Sequence, residues 1–62
     1  MKDRKDVEVG DWISFYRDGA IVYAKVEYLE EPDGYPWKWS YVTTLGYVED
    51  DFVLEIRKVG KP

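Results

Sequence analysis

Two β-forming runs joined by a single Asp-Gly pair constrain this chain more than any other feature. The first, Val9-Gly10-Asp11-Trp12-Ile13-Ser14-Phe15-Tyr16-Arg17, reaches Asp18-Gly19, and Ala20-Ile21-Val22-Tyr23-Ala24-Lys25-Val26-Glu27-Tyr28-Leu29 follows at once. A two-residue connection of this kind needs positive φ at its centre, which Gly adopts freely and Asp tolerates, so the pair predicts a tight β-hairpin. Side chains alternate across a strand, so Ile13 and Phe15 share one face while Trp12, Ser14 and Tyr16 share the other. In the second run Val22, Ala24, Val26 and Tyr28 make the expected core face, and Ile21, Tyr23, Lys25, Glu27 and Leu29 the outer one.

The rest of the chain continues in the same idiom. Glu30-Glu31-Pro32-Asp33-Gly34-Tyr35-Pro36 interrupts the pattern, because Pro cannot donate to a ladder and Asp-Gly suits a turn. Trp37-Lys38-Trp39-Ser40-Tyr41-Val42-Thr43-Thr44 has the composition of a third strand, Leu45-Gly46 turns it, and Tyr47-Val48 is a short fourth. Glu49-Asp50-Asp51-Phe52 is too short for an α-helix but suits one 3₁₀ turn, with acids where free N–H groups favour them. Val53 to Val59 is the last strand, with Phe52, Leu54 and Ile56 expected inward. No helical periodicity competes with this reading. The expected fold is therefore all-β, a five-stranded small barrel over residues 7–59, with residues 1–6 and 60–62 as flexible tails.

Composition narrows the chemistry. In a chain of 62 residues with neither Cys nor His, disulfides, thiolate ligands, thiol nucleophiles and imidazole bases are excluded. A domain of this size buries only about 60% of the surface its unfolded chain exposes, so the aromatic residues must supply much of the core. The formal charge of −4 disfavours unaided attraction to a phosphate backbone. No apolar run approaches the roughly 20 residues of a spanning helix, and Met1 to Asp6 leads into no signal-peptide stretch, so a cytoplasmic protein is expected.

Gly10-Asp11 opening a strand, Gly19 at the hairpin, Gly46 and Val48 before a short turn, and Leu54-Glu55-Ile56 in the last strand together resemble the SH3-like and Tudor-like barrel group. The resemblance implies an SH3-like barrel. Among its members, SH3 domains dock proline-rich peptides with an acidic loop, a Trp that Trp37 or Trp39 matches, and a Pro-Tyr pair in the 3₁₀ turn. Here that turn has neither Pro nor Tyr, so half of the peptide groove is missing. The spacing is also similar to that of plasmid-encoded type II dihydrofolate reductases, in Gly19-Ala20 and Gly34-Tyr35 as well as in the opening Gly-Asp. Their Val-Gln-Ile-Tyr pore segment falls on Val48-Glu49-Asp50-Asp51, and carboxylates in a symmetric pore would repel each other and an anionic cofactor, so the activity is not carried over.

Trp12, Tyr16, Tyr23, Tyr35, Trp37, Trp39, Tyr41 and Tyr47 are more large rings than a small barrel can enclose. The outer ones either pack across strands as aromatic pairs or form a binding surface. Under the second reading the binding residues are Trp12, Tyr16, Tyr35, Trp37, Trp39 and Tyr47. A cage for a methylated cation needs rings plus a carboxylate, which Tyr16, Tyr35, Trp37, Asp33 and Glu31 would supply. Glu49-Asp50-Asp51 reads as a solvated turn rather than a metal site, since no spaced ligand pattern accompanies it. No catalytic constellation and no cofactor motif stands out. The expected function is a non-catalytic protein- or peptide-binding module, accessory or self-associating. The alternative is nucleic-acid binding by stacking rings with Lys2, Arg4, Lys5, Arg57, Lys58 and Lys61 at the termini.

Overall fold

The computed structural model describes residues 4–34 and 38–59, and over these the chain is all-β apart from one 3₁₀ turn. Strands β1 (Trp12–Arg17), β2 (Ala20–Glu30), β3 (Ser40–Thr43), β4 (Gly46–Glu49) and β5 (Glu55–Arg57) form one antiparallel sheet in the order β4-β3-β2-β1-β5. The 3₁₀ turn, Asp50–Phe52, joins β4 to β5 where the acids place it. The sheet is open: β4 and β5 end it and do not pair with each other, so the hydrogen-bonded closure of a barrel is not formed among the described residues. No helix of the described residues is long and apolar enough to cross a membrane.

The Asp-Gly hairpin forms as expected. Arg17 pairs with Ala20 across Asp18 and Gly19, whose φ angles of 52° and 79° are the two positive values that a two-residue turn of matching twist requires. Beyond it β2 serves two neighbours in turn, β1 along Ala20 to Lys25 and β3 along Val26 to Glu30. The register shifts between Val26 and Tyr28, so Glu27 is an extra residue in the ladder. A bulge of this kind bends the strand and reverses the alternation beyond it. Ala24 and Val26 are buried as expected, but Tyr28, assigned to the core face, is exposed, and Leu29 turns inward instead.

The bend brings the two halves of the sheet over one core. One half contributes the row Ala24–Ile13–Ile56 and the other the row Leu29–Tyr41–Val48, each set directly opposite across its strands. Phe15, Val26, Val7 and Val53 complete a single cluster. The last segment departs from expectation: Phe52 and Leu54 are exposed, and only Ile56 of the expected three packs against the core. The 3₁₀ turn is the cause. The Val53 N–H donates to the Asp50 carbonyl, which sets Val53 inward, and the paired part of β5 begins only at Glu55.

Two buried aspartates tie the flanking segments to the sheet. Asp50 accepts the Lys5 N–H at 3.0 Å and the Tyr41 hydroxyl, while the Lys5 ammonium donates to its carbonyl at 2.9 Å. Asp11 accepts the Glu8 N–H at 2.9 Å and the Lys58 ammonium at 2.8 Å. Of the six residues expected in the N-terminal tail, Arg4 to Asp6 are described, and Arg4 donates to the Val7 carbonyl at 2.7 Å with its guanidinium 4.7 Å from the Trp39 ring centre.

Candidate functional site

Among the described residues no outer ring stands directly opposite another. Across the ladders Trp12 stands opposite Lys25 and Arg57, Tyr16 opposite Ile21, Tyr23 opposite Ser14, and both Tyr28 and Tyr47 opposite Val42. The expected cross-strand aromatic pairs are therefore absent among the described residues, because the register sets each ring against an aliphatic, small or charged neighbour. Ser14 shows what this does on one row. It is buried although it lies on the outer face, since Tyr23 and Glu55 flank it and hydrogen-bond at 2.7 Å, phenol to carboxylate. The Arg57 guanidinium sits 5.3 Å from the Tyr23 ring centre and completes that cover.

Three other rings are left bare around one groove. Tyr16, Tyr47 and Phe52 are 65%, 63% and 62% exposed, and they line a hollow of about 400 Å³ with Phe15, Val48, Arg17, Gly46 and Glu49. Each arrives by a separate local rule. Alternation puts Tyr16 outward beyond buried Phe15, and the same alternation puts Tyr47 outward before buried Val48. Phe52 is outward because Val53 took the inward position. The Arg17 guanidinium donates to the Leu45 carbonyl, linking the tip of the β1–β2 hairpin to the β3–β4 turn. Gly46 permits that approach: its φ is 121°, and a Cβ there would lie 3.2 Å from Arg17 Nη1.

A second hollow, about 290 Å³, adjoins the first and shares Tyr47 and Glu49 with it. Glu30, Glu31, Asp33 and Lys38 also line it. Lys38 is held by the Asp51 carboxylate, and that hydrogen bond raises the Lys38 pKa and lowers that of Asp51. The rim beside the aromatic groove is thus rich in carboxylates, with its lysine already engaged. Glu49, Asp50 and Asp51 diverge, to the groove, the core and Lys38 respectively. Among the described residues no group of three or more acids is placed to hold a metal ion.

Of the six residues expected to bind, Tyr16 and Tyr47 come together here. Trp12 shares the outer face of β1 with Tyr16 but stands at its far end between Lys25 and Arg57, outside the groove lining. Trp39 has the parity of buried Tyr41 and lies half-buried under Arg4. Tyr35 and Trp37 lie outside the described residues. Of the residues expected to form a cage, Tyr16 lines the groove, Glu31 and Asp33 line the hollow that adjoins it, and Tyr35 and Trp37 lie outside the described residues. Of the terminal cations expected to form a basic edge, Arg4, Lys5, Arg57 and Lys58 each meet a partner within the fold, and Lys2 and Lys61 lie outside the described residues. Sequence reasoning missed Phe52, Arg17 and Glu49. The signal for Phe52 was its neighbour: two adjacent apolar residues at the end of a short turn cannot both face the core.

Tyr41 is the counter-example to the exposed rings. It is fully buried, and burial together with the hydrogen bond to the Asp50 carboxylate pushes its phenol far above the ordinary range, so it stays neutral. Comparison of the chain with protein-family models, with curated proteins and with solved structures yields no match.

Proposed function

We propose that this chain is a non-catalytic protein- or peptide-binding module of the cytoplasm, an SH3-like small barrel in architecture, whose contact surface is the groove of Tyr16, Tyr47 and Phe52. The observation that carries the reading is the convergence of three bare rings, from β1, β4 and the 3₁₀ turn, on one hollow. Large rigid rings offer contact area at small entropic cost, and they dominate the residues that carry binding energy at interfaces. The strand order with a 3₁₀ turn before the last strand supports the SH3-like architecture. The nucleic-acid alternative needs stacking rings together with free terminal cations, and the internal partners of Arg4, Lys5, Arg57 and Lys58 favour the peptide reading over it.

A photo-crosslinking amino acid substituted at Tyr47, and separately at Val9, tests this in the cells that make the protein. Val9 is similarly exposed but lines neither the groove nor the hollow beside it. Adducts are expected from position 47, weakened when Tyr16→Ser and Phe52→Ser are added, and absent from position 9. Equal capture from both positions, or capture indifferent to the added substitutions, overturns the groove as the contact surface.

A further inference from the structure

The backbone at this groove carries information that the rings do not. In a two-residue hairpin the residues flanking the turn bond to each other, so Arg17, and with it Phe15 and Ile13, directs its N–H and C=O toward β2. Trp12, Ser14 and Tyr16 then direct theirs the other way. The Ser14 carbonyl confirms the parity by accepting the Leu54 N–H at 2.8 Å. Pairing with β5 covers Trp12 to Ser14 and stops there, which leaves the main-chain groups of Tyr16 facing the groove without a strand.

The same reasoning applies to β4. The Asp50 N–H donates to the Trp39 carbonyl at 2.9 Å, so Asp50, Val48 and Gly46 address β3. Tyr47 and Glu49 therefore address the outside. Strand β4 ends the sheet, and this outer edge is unpaired among the described residues. Among the described residues Tyr16, Tyr47 and Glu49 thus line the groove and also carry main-chain groups with no strand beside them. An exposed edge beside a hollow for side chains is the arrangement that accepts an added strand.

We infer that the groove takes an extended peptide with basic residues, which adds as a strand along the outer edge of β4. It pairs with the main-chain groups of Tyr47 and Glu49. This rests on the binding reading above and specifies its ligand. Alternate side chains of the added strand point to one face, so apolar ones enter between Tyr16, Tyr47 and Phe52. Charge selects the rest: Glu49 in the groove and Glu30, Glu31 and Asp33 in the adjoining hollow are four carboxylates against two cations, Arg17, which is drawn onto the Leu45 carbonyl, and Lys38, which is paired with Asp51. The chain as a whole carries −4. A second copy of this chain is a poorer occupant, because an edge-to-edge pair would bring two such acidic rims together.

The test uses the full ¹⁵N-labelled chain and four capped hexapeptides: alternating Val-Lys, alternating Val-Glu, and two forms of Val-Lys N-methylated on one or the other alternate set of amides. The Val-Lys peptide is expected to shift the amide signals of Tyr47 and Glu49 and those of Tyr16 and Phe52. The Val-Glu peptide is expected to bind at least about tenfold more weakly. One N-methylated set should abolish binding and the other leave it intact, because only one edge of the added strand faces β4. If the peptide shifts the groove but both methylated sets bind alike, or Val-Glu binds as well, strand addition by a basic segment is overturned while the groove remains a binding surface. No shift at the groove with any peptide at millimolar concentration overturns the inference outright, and crosslinking at position 47 then decides the broader reading. Concentration-dependent shifts at Tyr47 and Glu49 without peptide overturn it in favour of self-association.

Discussion

Tyr41 and Tyr47 stand on neighbouring strands of one hairpin and meet opposite fates. Tyr41 is 0% exposed, with its hydroxyl on the buried carboxylate of Asp50, which also holds the Lys5 backbone. Tyr47 is largely bare, and its neighbours in the groove are Tyr16 and Phe52. One corner spends its aromatic ring on cohesion and satisfies each polar group that the ring brings inward. The other leaves apolar surface in water, where it stabilises little. The contrast separates residues that hold this fold from residues that the fold displays.

The largest effect that can break this contrast lies in the Asp50 corner. Asp50→Ala removes the acceptor for the Tyr41 hydroxyl and the Lys5 N–H and leaves the phenol buried without a partner. A loss of about 3 kcal/mol is expected, since each unsatisfied buried group costs about 1–3 kcal/mol. For a domain this small that is much of the total stability. Urea unfolding followed by Trp fluorescence reads it as a fall in midpoint of roughly 3 M, given a slope of about 1 kcal/mol/M. Tyr41→Phe, which keeps the ring and removes only the donor, should cost about 1 kcal/mol. If Asp50→Ala unfolds no more readily than a substitution at Tyr47, the corner is not the structural lock described.

Much of this division was legible in the sequence, and the exceptions have identifiable causes. The hairpin at Asp18-Gly19, the inward Ile13 and Phe15, and the short turn at Asp50–Phe52 follow from φ preference, period-two alternation and local acids. Alternation fails where the ladder is irregular. Glu27 carries no residue-type signal of a bulge, yet its insertion exchanges the roles of Tyr28 and Leu29. Ser14 is buried by neighbours on two other strands, which no single strand reveals. The site was half legible for the same reason. Outward parity picks out Tyr16 and Tyr47, but that both meet Phe52 depends on how the bulged sheet folds over.

Asp11 supplies the middle-sized effect and a pH dependence. Burial by itself raises its pKa, but the Lys58 hydrogen bond, the Glu8 N–H and the Lys58 charge outweigh it, so the net shift is below the ordinary 3.8. A carboxyl with a lowered folded pKa contributes stability that is full above the unfolded value and lost as pH falls through the folded one. Lys58 is raised by the same bond, so the pair is intact across the interval between the two ionisations. Asp11→Asn is expected to cost about 1 kcal/mol at pH 7 and progressively less below about pH 4, so that the urea midpoints of the two proteins converge by about pH 2. Parallel curves would show that Asp11 acts through shape and not through charge.

The smallest effect on stability belongs to the groove, and it sharpens the comparison most. Were Tyr16, Tyr47 and Phe52 a cover that keeps water from Phe15 and Val48, truncating them would expose core, and each would cost about 1 kcal/mol or more. Their exposures of more than 60% leave little area to lose, so Tyr16→Ser, Tyr47→Ser and Phe52→Ser should each shift stability by no more than about 0.5 kcal/mol. Because all three surround one hollow, the triple variant tests the cover directly: independent bare rings add, whereas a shared lid gives a combined loss well beyond the sum of the single ones. Additive, near-zero losses in urea unfolding, measured beside the Asp50→Ala midpoint, would leave the rings without a structural role. Three large apolar side chains held at one place on the surface, contributing nothing to folding and carrying a risk of aggregation, would then fit the proposed contact surface and not a structural cover.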